Sequence, residues 1–158
     1  KYQGIYEATQ GEERYVTKAE QVHEAIKALL VTVPGAKIER NTAVPEKIPT
    51  NGLIVLRDGD PGEPETALGG FGGIYYSHGI EIELYIEDGD ATARDAAFDA
   101  LVQAIGTALA ADPTLGGLAF GMTYGRPEIN TDAVAGAPAI KSGTIIITVE
   151  YETTSLLG

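Results

Sequence analysis

Ile74-Tyr75-Tyr76-Ser77-His78-Gly79-Ile80-Glu81-Ile82-Glu83-Leu84-Tyr85-Ile86-Glu87 decides the fold class of this chain. Side chains in a strand alternate between two faces, so Tyr76, Ile80, Ile82, Leu84 and Ile86 share one side while Glu81, Glu83 and Glu87 share the other. A helix would scatter these residues around its circumference. The stretch therefore reads as a long strand with one face toward a core and an acidic face toward water, the pattern of an antiparallel sheet covered on one side.

Working outward, Asp88-Gly89-Asp90 turns the chain. Thr92 and Asp95 offer a capping pattern, and Phe98, Leu101, Val102, Ile105 and Leu109 recur at helical spacing until Asp112-Pro113. Upstream, Thr17 and Glu20 have capping-box spacing, followed by an apolar stripe of Val22, Ile26, Leu29, Leu30 and Val33 that Pro34-Gly35 should stop. Residues 36–41 suit a short strand. Leu53-Ile54-Val55-Leu56-Arg57, after the Asn51-Gly52 turn signal, suits a buried one. Phe120, Met122 and Tyr124 alternate weakly. A stretch rich in Ala, Gly and Pro follows, and then Ile145, Ile147, Val149 and Tyr151 alternate against Thr144, Thr148, Glu150 and Glu152, with Ile146 the exception. The order α-β-β-β-α-β-β predicts an α+β fold, a mainly antiparallel β-sheet with two packed helices. Residues 1–14 read as an N-terminal arm, 15–152 as one domain, and 153–158 as a C-terminal tail.

Composition narrows the function. A chain of 158 residues supports one core, and no window approaches the roughly 20 apolar residues of a membrane-spanning helix. Nothing in the given sequence reads as a signal peptide, and a soluble protein with no membrane partner is expected. The absence of cysteine removes disulfides, thiol catalysis and thiolate metal sites. A formal charge of −12 opposes gripping a phosphate backbone, whose affinity comes from Lys and Arg releasing counterions. An acidic wall past which nucleic acid slides is compatible with the same charge.

The run Asp58-Gly59-Asp60-Pro61-Gly62-Glu63-Pro64-Glu65, followed by Gly69-Gly70-Phe71-Gly72-Gly73, lacks both the closing Glu and the Gly spacing of a calcium loop. It also lacks the GxxxxGK[ST] of a phosphate cradle. No metal and no cofactor are expected. A flexible hairpin loop is the plain reading, yet Leu68 and Phe71 lie in it with nothing nearby in sequence to bury them, which suits a partner subunit. His23 and His78 are the imidazole bases available. His23 reads as a surface or boundary residue and His78 as a hydrogen-bonded histidine at the core edge. No GxSxG elbow surrounds Ser77, Ser142 or Ser155. Glu81 and Glu83 read as solvation or an inter-subunit charge contact, and no catalytic residue is assigned.

The layout from Val22 to Tyr151 resembles the tail terminator, or tail completion, proteins of long-tailed bacteriophages and gene transfer agents. Its carriers are the first helix; Ile38-Glu39-Arg40-Asn41 with Pro45 and Pro49; the strand from Leu53 to Asp60; the strand from near His78; the second helix; and the exit Asp112-Pro113-Thr114-Leu115-Gly116-Gly117. The resemblance implies a structural virion protein that assembles into a homo-oligomeric ring, usually hexameric in that family. The ring caps the tail tube and joins it to the head connector protein, with non-specific passage of DNA. It would sit at the head-tail junction of a particle assembled in the bacterial host cytoplasm. Another neck or tail-tube subunit is the first alternative, and a small-ligand enzyme or a binding module stands behind it. The inter-subunit contact candidates are Tyr2, Ile5 and Tyr6 of the arm and Asp58, Asp60, Glu63, Leu68 and Phe71 of the loop. Glu81, Glu83 and Glu87 are candidates for an acidic lumen or interface face.

Overall fold

The computed structural model describes residues 16–66, 72–130 and 140–158. The candidates Tyr2, Ile5, Tyr6, Leu68 and Phe71 lie outside them. Thr17 caps helix α1, Lys18–Leu30, by accepting from the Glu20 amide at 3.2 Å. The capping box is only half formed, because the Glu20 carboxylate is taken up by Arg40. Strand β1, Lys37–Arg40, follows Gly35 and runs parallel to β2, Leu53–Asp60. Next come β3, Glu65–Thr66, the long β4, Ile74–Glu87, and helix α2, Ala91–Ala110. After a 3-10 turn at Leu115–Gly117, the chain forms β5, Gly121–Tyr124, β6, Glu128–Asn130, and β7, Ile140–Thr153.

The expected α+β class holds: two helices lie on a mixed sheet of mostly antiparallel strands. The element order gains two short strands, β3 and β6, which are too brief to show a period in sequence. β4 and β7 pair in antiparallel register from Ile74↔Thr153 to Glu87↔Ile140 and form the spine. β2 and then β3 line the other side of β4, and β5 and then β6 line the other side of β7. The cap of α2 is Asp90, whose carboxylate accepts from Ala93 at 3.3 Å, and not Thr92. Asp90 sits at the turn exit with extended backbone, where its side chain reaches the free amides of the first helical turn.

One face of the sheet buries Ile54, Leu56, Ile80, Ile82, Leu84, Ile147 and Val149 beneath Val22, Ile26 and Leu30 of α1 and Phe98, Leu101 and Ile105 of α2. The helices stripe that face as their periodicity predicts. The opposite face is not wholly wet, contrary to the expectation from β4 alone: Leu53 and Val55 are buried there with Ile48, against Tyr85 and Ile140. That small cluster explains why Leu53 to Leu56 are buried without alternation.

Between Arg57 and Asp60 the β2–β4 register slips in a bulge. Gly59 makes it possible: its φ is +68°, and an added Cβ would collide with the Gly79 carbonyl oxygen across the ladder. Gly59→Ala is expected to lower stability by about 3 kcal/mol through strain and forced strand separation. Gly89→Ala, where a Cβ meets nothing within 4 Å, should change it little. Urea unfolding of the two variants beside the parent chain checks this.

A buried polar network and a bare acidic sheet face

The bulge places the Asp58 carbonyl where two rings converge on it. His78 is held on the core side of β4, and its Nε2 lies 2.7 Å from that oxygen; His23 projects from α1 with its Nε2 at 3.1 Å. The rings meet edge to face with centroids 5.1 Å apart, and both residues are buried. His23 is thus not the surface or boundary residue that sequence suggested. Its position next to Val22 turns it inward onto β2, where a carbonyl freed by the bulge waits for a donor. His78 is hydrogen-bonded in the core, as expected, and its Nδ1 lies 2.8 Å from the Tyr151 hydroxyl.

These contacts fix the proton positions. Each Nε2–H donates to the carbonyl, and His78 Nδ1 accepts from the Tyr151 O–H. Burial pushes the Tyr151 hydroxyl up to about 12, which keeps it a donor. Burial, followed in smaller measure by the neighbouring His23, holds His78 below the usual imidazole range despite the carbonyl it donates to.

The Asp58 side chain anchors the outer half of the network. Arg40 donates from Nε at 2.8 Å and from Nη2 at 3.0 Å to its two carboxylate oxygens. The same guanidinium donates to Glu20 from Nη1 and Nη2, both at 2.7 Å, and to Glu24 at 2.9 Å. Only 14% of the Arg40 side chain is exposed. Hydrogen bonds from Arg40 hold Glu20 and Asp58 below the ordinary carboxylate range and raise the guanidinium further. One cation thereby ties α1, β1 and β2 together. Sequence gave no role to Arg40, whose partners lie sixteen to twenty residues away.

The second feature is the sheet face that no helix covers. By register it carries Glu39, Asp60, Glu65, Glu81, Glu83, Glu87, Glu128, Glu150 and Glu152 against two cations, Arg57 and Lys37, the latter paired with Glu39 at 2.8 Å. The candidates Glu81, Glu83 and Glu87 do share this face, but their situations differ. Glu81 is exposed. Arg57 donates to both oxygens of Glu83, at 3.1 and 3.0 Å. Burial raises the Glu83 carboxyl, but donors from Arg57 and Tyr85 outweigh it and hold it low. Glu87 accepts from the Ile48 amide at 2.8 Å and so pins the 41–52 connection. Ile146, the break in the β7 alternation, stands on this face 55% exposed. Of the loop candidates, Asp58 belongs to the network and Asp60 to β2, where it accepts from the Gly62 amide; Glu63 is exposed.

Among the described residues every buried side-chain polar atom has a partner, and no group of acidic or His residues could hold a metal ion. A cavity of about 390 Å³ between the 47–52 segment and the 86–89 turn is lined by Lys47, Asn51, Glu87 and Asp88, without an imidazole base. The class defined by these residues is an α+β scaffold with a satisfied polar network and one bare, acidic sheet face.

No family model matches the sequence, and no curated protein matches it. Among solved structures the chain is similar to one from the virion of a native gene transfer agent particle, with 16% identity, a TM-score of 0.46 and coverage of 81% of this chain and 84% of that one. It is also similar to a chain of an extracellular contractile injection system described as the PVC sheath/tube terminator in its extended state. There the identity is 10% and the TM-score 0.40, and the match covers 85% of this chain but 56% of that one. At such identities no residue's role passes from either chain to this one.

The network sets a pH dependence. For His78 the folded state binds its proton less readily than the unfolded chain, so its contribution is complete above about pH 6.5 and is lost as pH falls through the depressed folded value. Glu20 and Asp58, also depressed, contribute above the ordinary carboxylate range and lose that contribution as pH falls through their lower folded values. Urea midpoints measured from pH 8 to pH 3 should therefore drop in two stages. Arg40→Ala should cost about 2 kcal/mol at pH 7 and flatten the lower stage, while His78→Gln should flatten the upper one.

Proposed function

We propose that this chain is a structural subunit of a phage-like particle, a tail terminator that forms a ring, caps the tail tube and meets the head connector, with DNA passing through the ring. The observation that carries this reading is the bare sheet face. A monomeric enzyme gains nothing from a two-layer fold whose second face holds nine carboxylates and two cations. A subunit whose bare face turns toward a DNA passage does gain, because like charge keeps the duplex from sticking at ranges up to a Debye length of about 8 Å. The order of elements that resembles the tail terminator family supports the same reading. The satisfied histidines support a structural role, since both imidazoles spend their donors on one backbone carbonyl.

A hexameric ring with the tail tube protein and the head connector protein as neighbours, placed at the head-tail junction of the virion, follows from that family layout. Another neck or tail-tube subunit is the second reading, which the same acidic face would serve. Electron microscopy of purified particles distinguishes them by the position of the chain.

Charge reversal tests the passage. Glu81→Lys with Glu150→Lys alters two residues exposed on the bare face and should leave stability within about 0.5 kcal/mol of the parent. Rings of the parent chain should not retain duplex DNA at 0.15 M salt. Rings of the double variant should retain it, with binding that weakens steeply as salt rises. Parent rings that bind DNA as tightly as the variant would remove the passage reading.

A further inference from the structure

A head-to-tail ring needs two different patches on each subunit, one complementary to the other. We infer that the ring closes by sheet continuation: the free edge at Asp60–Thr66 of one copy sets against the β5–β6 edge of the next. The inference deepens the ring reading and rests on it.

The two edges lie on opposite sides of the sheet at the same end of it. β1 covers β2 from Leu53 to Leu56, and among the described residues no strand pairs the outer side of the chain beyond Asp60. Across β4 and β7, the outer side of β5 is likewise unpaired among the described residues. The row Asp60, Gly79, Thr148, Thr123 shows that the two edges are level. An unpaired strand edge invites another strand, and natural sequences usually guard it with charge. β5 is Gly-Met-Thr-Tyr, with no charged residue.

Charge and apolar exposure at the two edges are complementary. Asp60, Glu63 and Glu65 form an acidic edge, and none of them has an ion pair among the described residues. Arg126, between β5 and β6, is exposed and without an ion pair among the described residues, in a protein with an excess of acid. Phe120 is 62% exposed, its ring tilted against Tyr75 with centroids 6.0 Å apart, while Tyr124 and Ile129 are 42% and 44% exposed. These rings and the Ile129 side chain crowd the edge that awaits a strand. The occupant is a second copy, because the partner must bring an acidic strand edge level with an uncharged one, and this chain carries both.

The chain has no cysteine, so a pair of introduced thiols reads the contact directly. Asp60→Cys and Thr123→Cys lie in one row, three strand spacings apart in one copy, about 14 Å. That is too far for a disulfide, which needs Cα atoms within about 7 Å. In assembled rings, mild oxidation or a short bis-maleimide should convert the double variant into a covalent ladder on a denaturing gel, while either single variant gives none. In parallel, Arg126→Glu should raise the concentration needed for assembly at least tenfold, with Glu63→Arg and Glu65→Arg together restoring it. Rings that form normally yet give no ladder, or that ignore Arg126→Glu, overturn the edge contact and leave the ring reading intact. A parent chain that sediments as a monomer, alone and with tail tubes, overturns both.

Discussion

Everything in this fold hangs on the ladder between β4 and β7, in which residues from Ile74 to Glu87 meet residues from Thr153 to Ile140 without a break in register. With a side-chain period of two, that register decides which residues reach the core, and a slip of one residue would exchange the buried isoleucines for the glutamates. Ile80 and Ile82 then meet Ile147 and Ile145 on the helix side, with Leu84 opposite Gly143, and α1 and α2 have one place to bury their stripes. The bare face is the other half of the same constraint. A strand cannot put every second residue in a core without putting the rest outside it.

The ladder is continuous, but its flank on the β2 side is deliberately broken. Gly59 lets β2 bulge, and the carbonyl released by the bulge becomes the point where His23 and His78 both donate. Immediately beside it, the Asp58 side chain receives Arg40, which also grips Glu20 and Glu24. A single residue therefore joins the packing of α1 to the sheet through its backbone and the position of β1 through its carboxylate. This arrangement uses the histidines for placement and leaves neither ring nitrogen of His78 free.

What the sequence disclosed depended on range. The faces of β4 and β7 and the stripes of both helices were legible because each repeats a local period over many residues. β3 and β6, at two and three residues, repeat nothing. Asp90 and Thr92 are both good capping residues, and the choice between them was made by the turn leaving β4, which local spacing does not encode. His23 and Arg40 were misjudged or passed over for a different reason. Asp58, which both contact, lies 35 and 18 residues away from them, and no residue type announces a carbonyl freed by a bulge. The acidic row was read from Glu81, Glu83 and Glu87, yet its full extent needed the register of five more strands, and the engagement of Glu83 and Glu87 needed their distant donors.

The spine also has a history written into its connectivity. β4 ends at Glu87 and its partner begins at Ile140, so the 88–139 segment must be made before the longest pairing in the protein can start. During synthesis β4 waits with one hydrogen-bonding edge open and its isoleucine face covered only by what has already emerged, and non-local pairing of this kind is slow. Emergence of the 140–153 strand is therefore the event that closes the sheet. The chain thus passes through a stage with more open strand edges than it finally keeps, and the fourteen-residue β7 withdraws the largest of them.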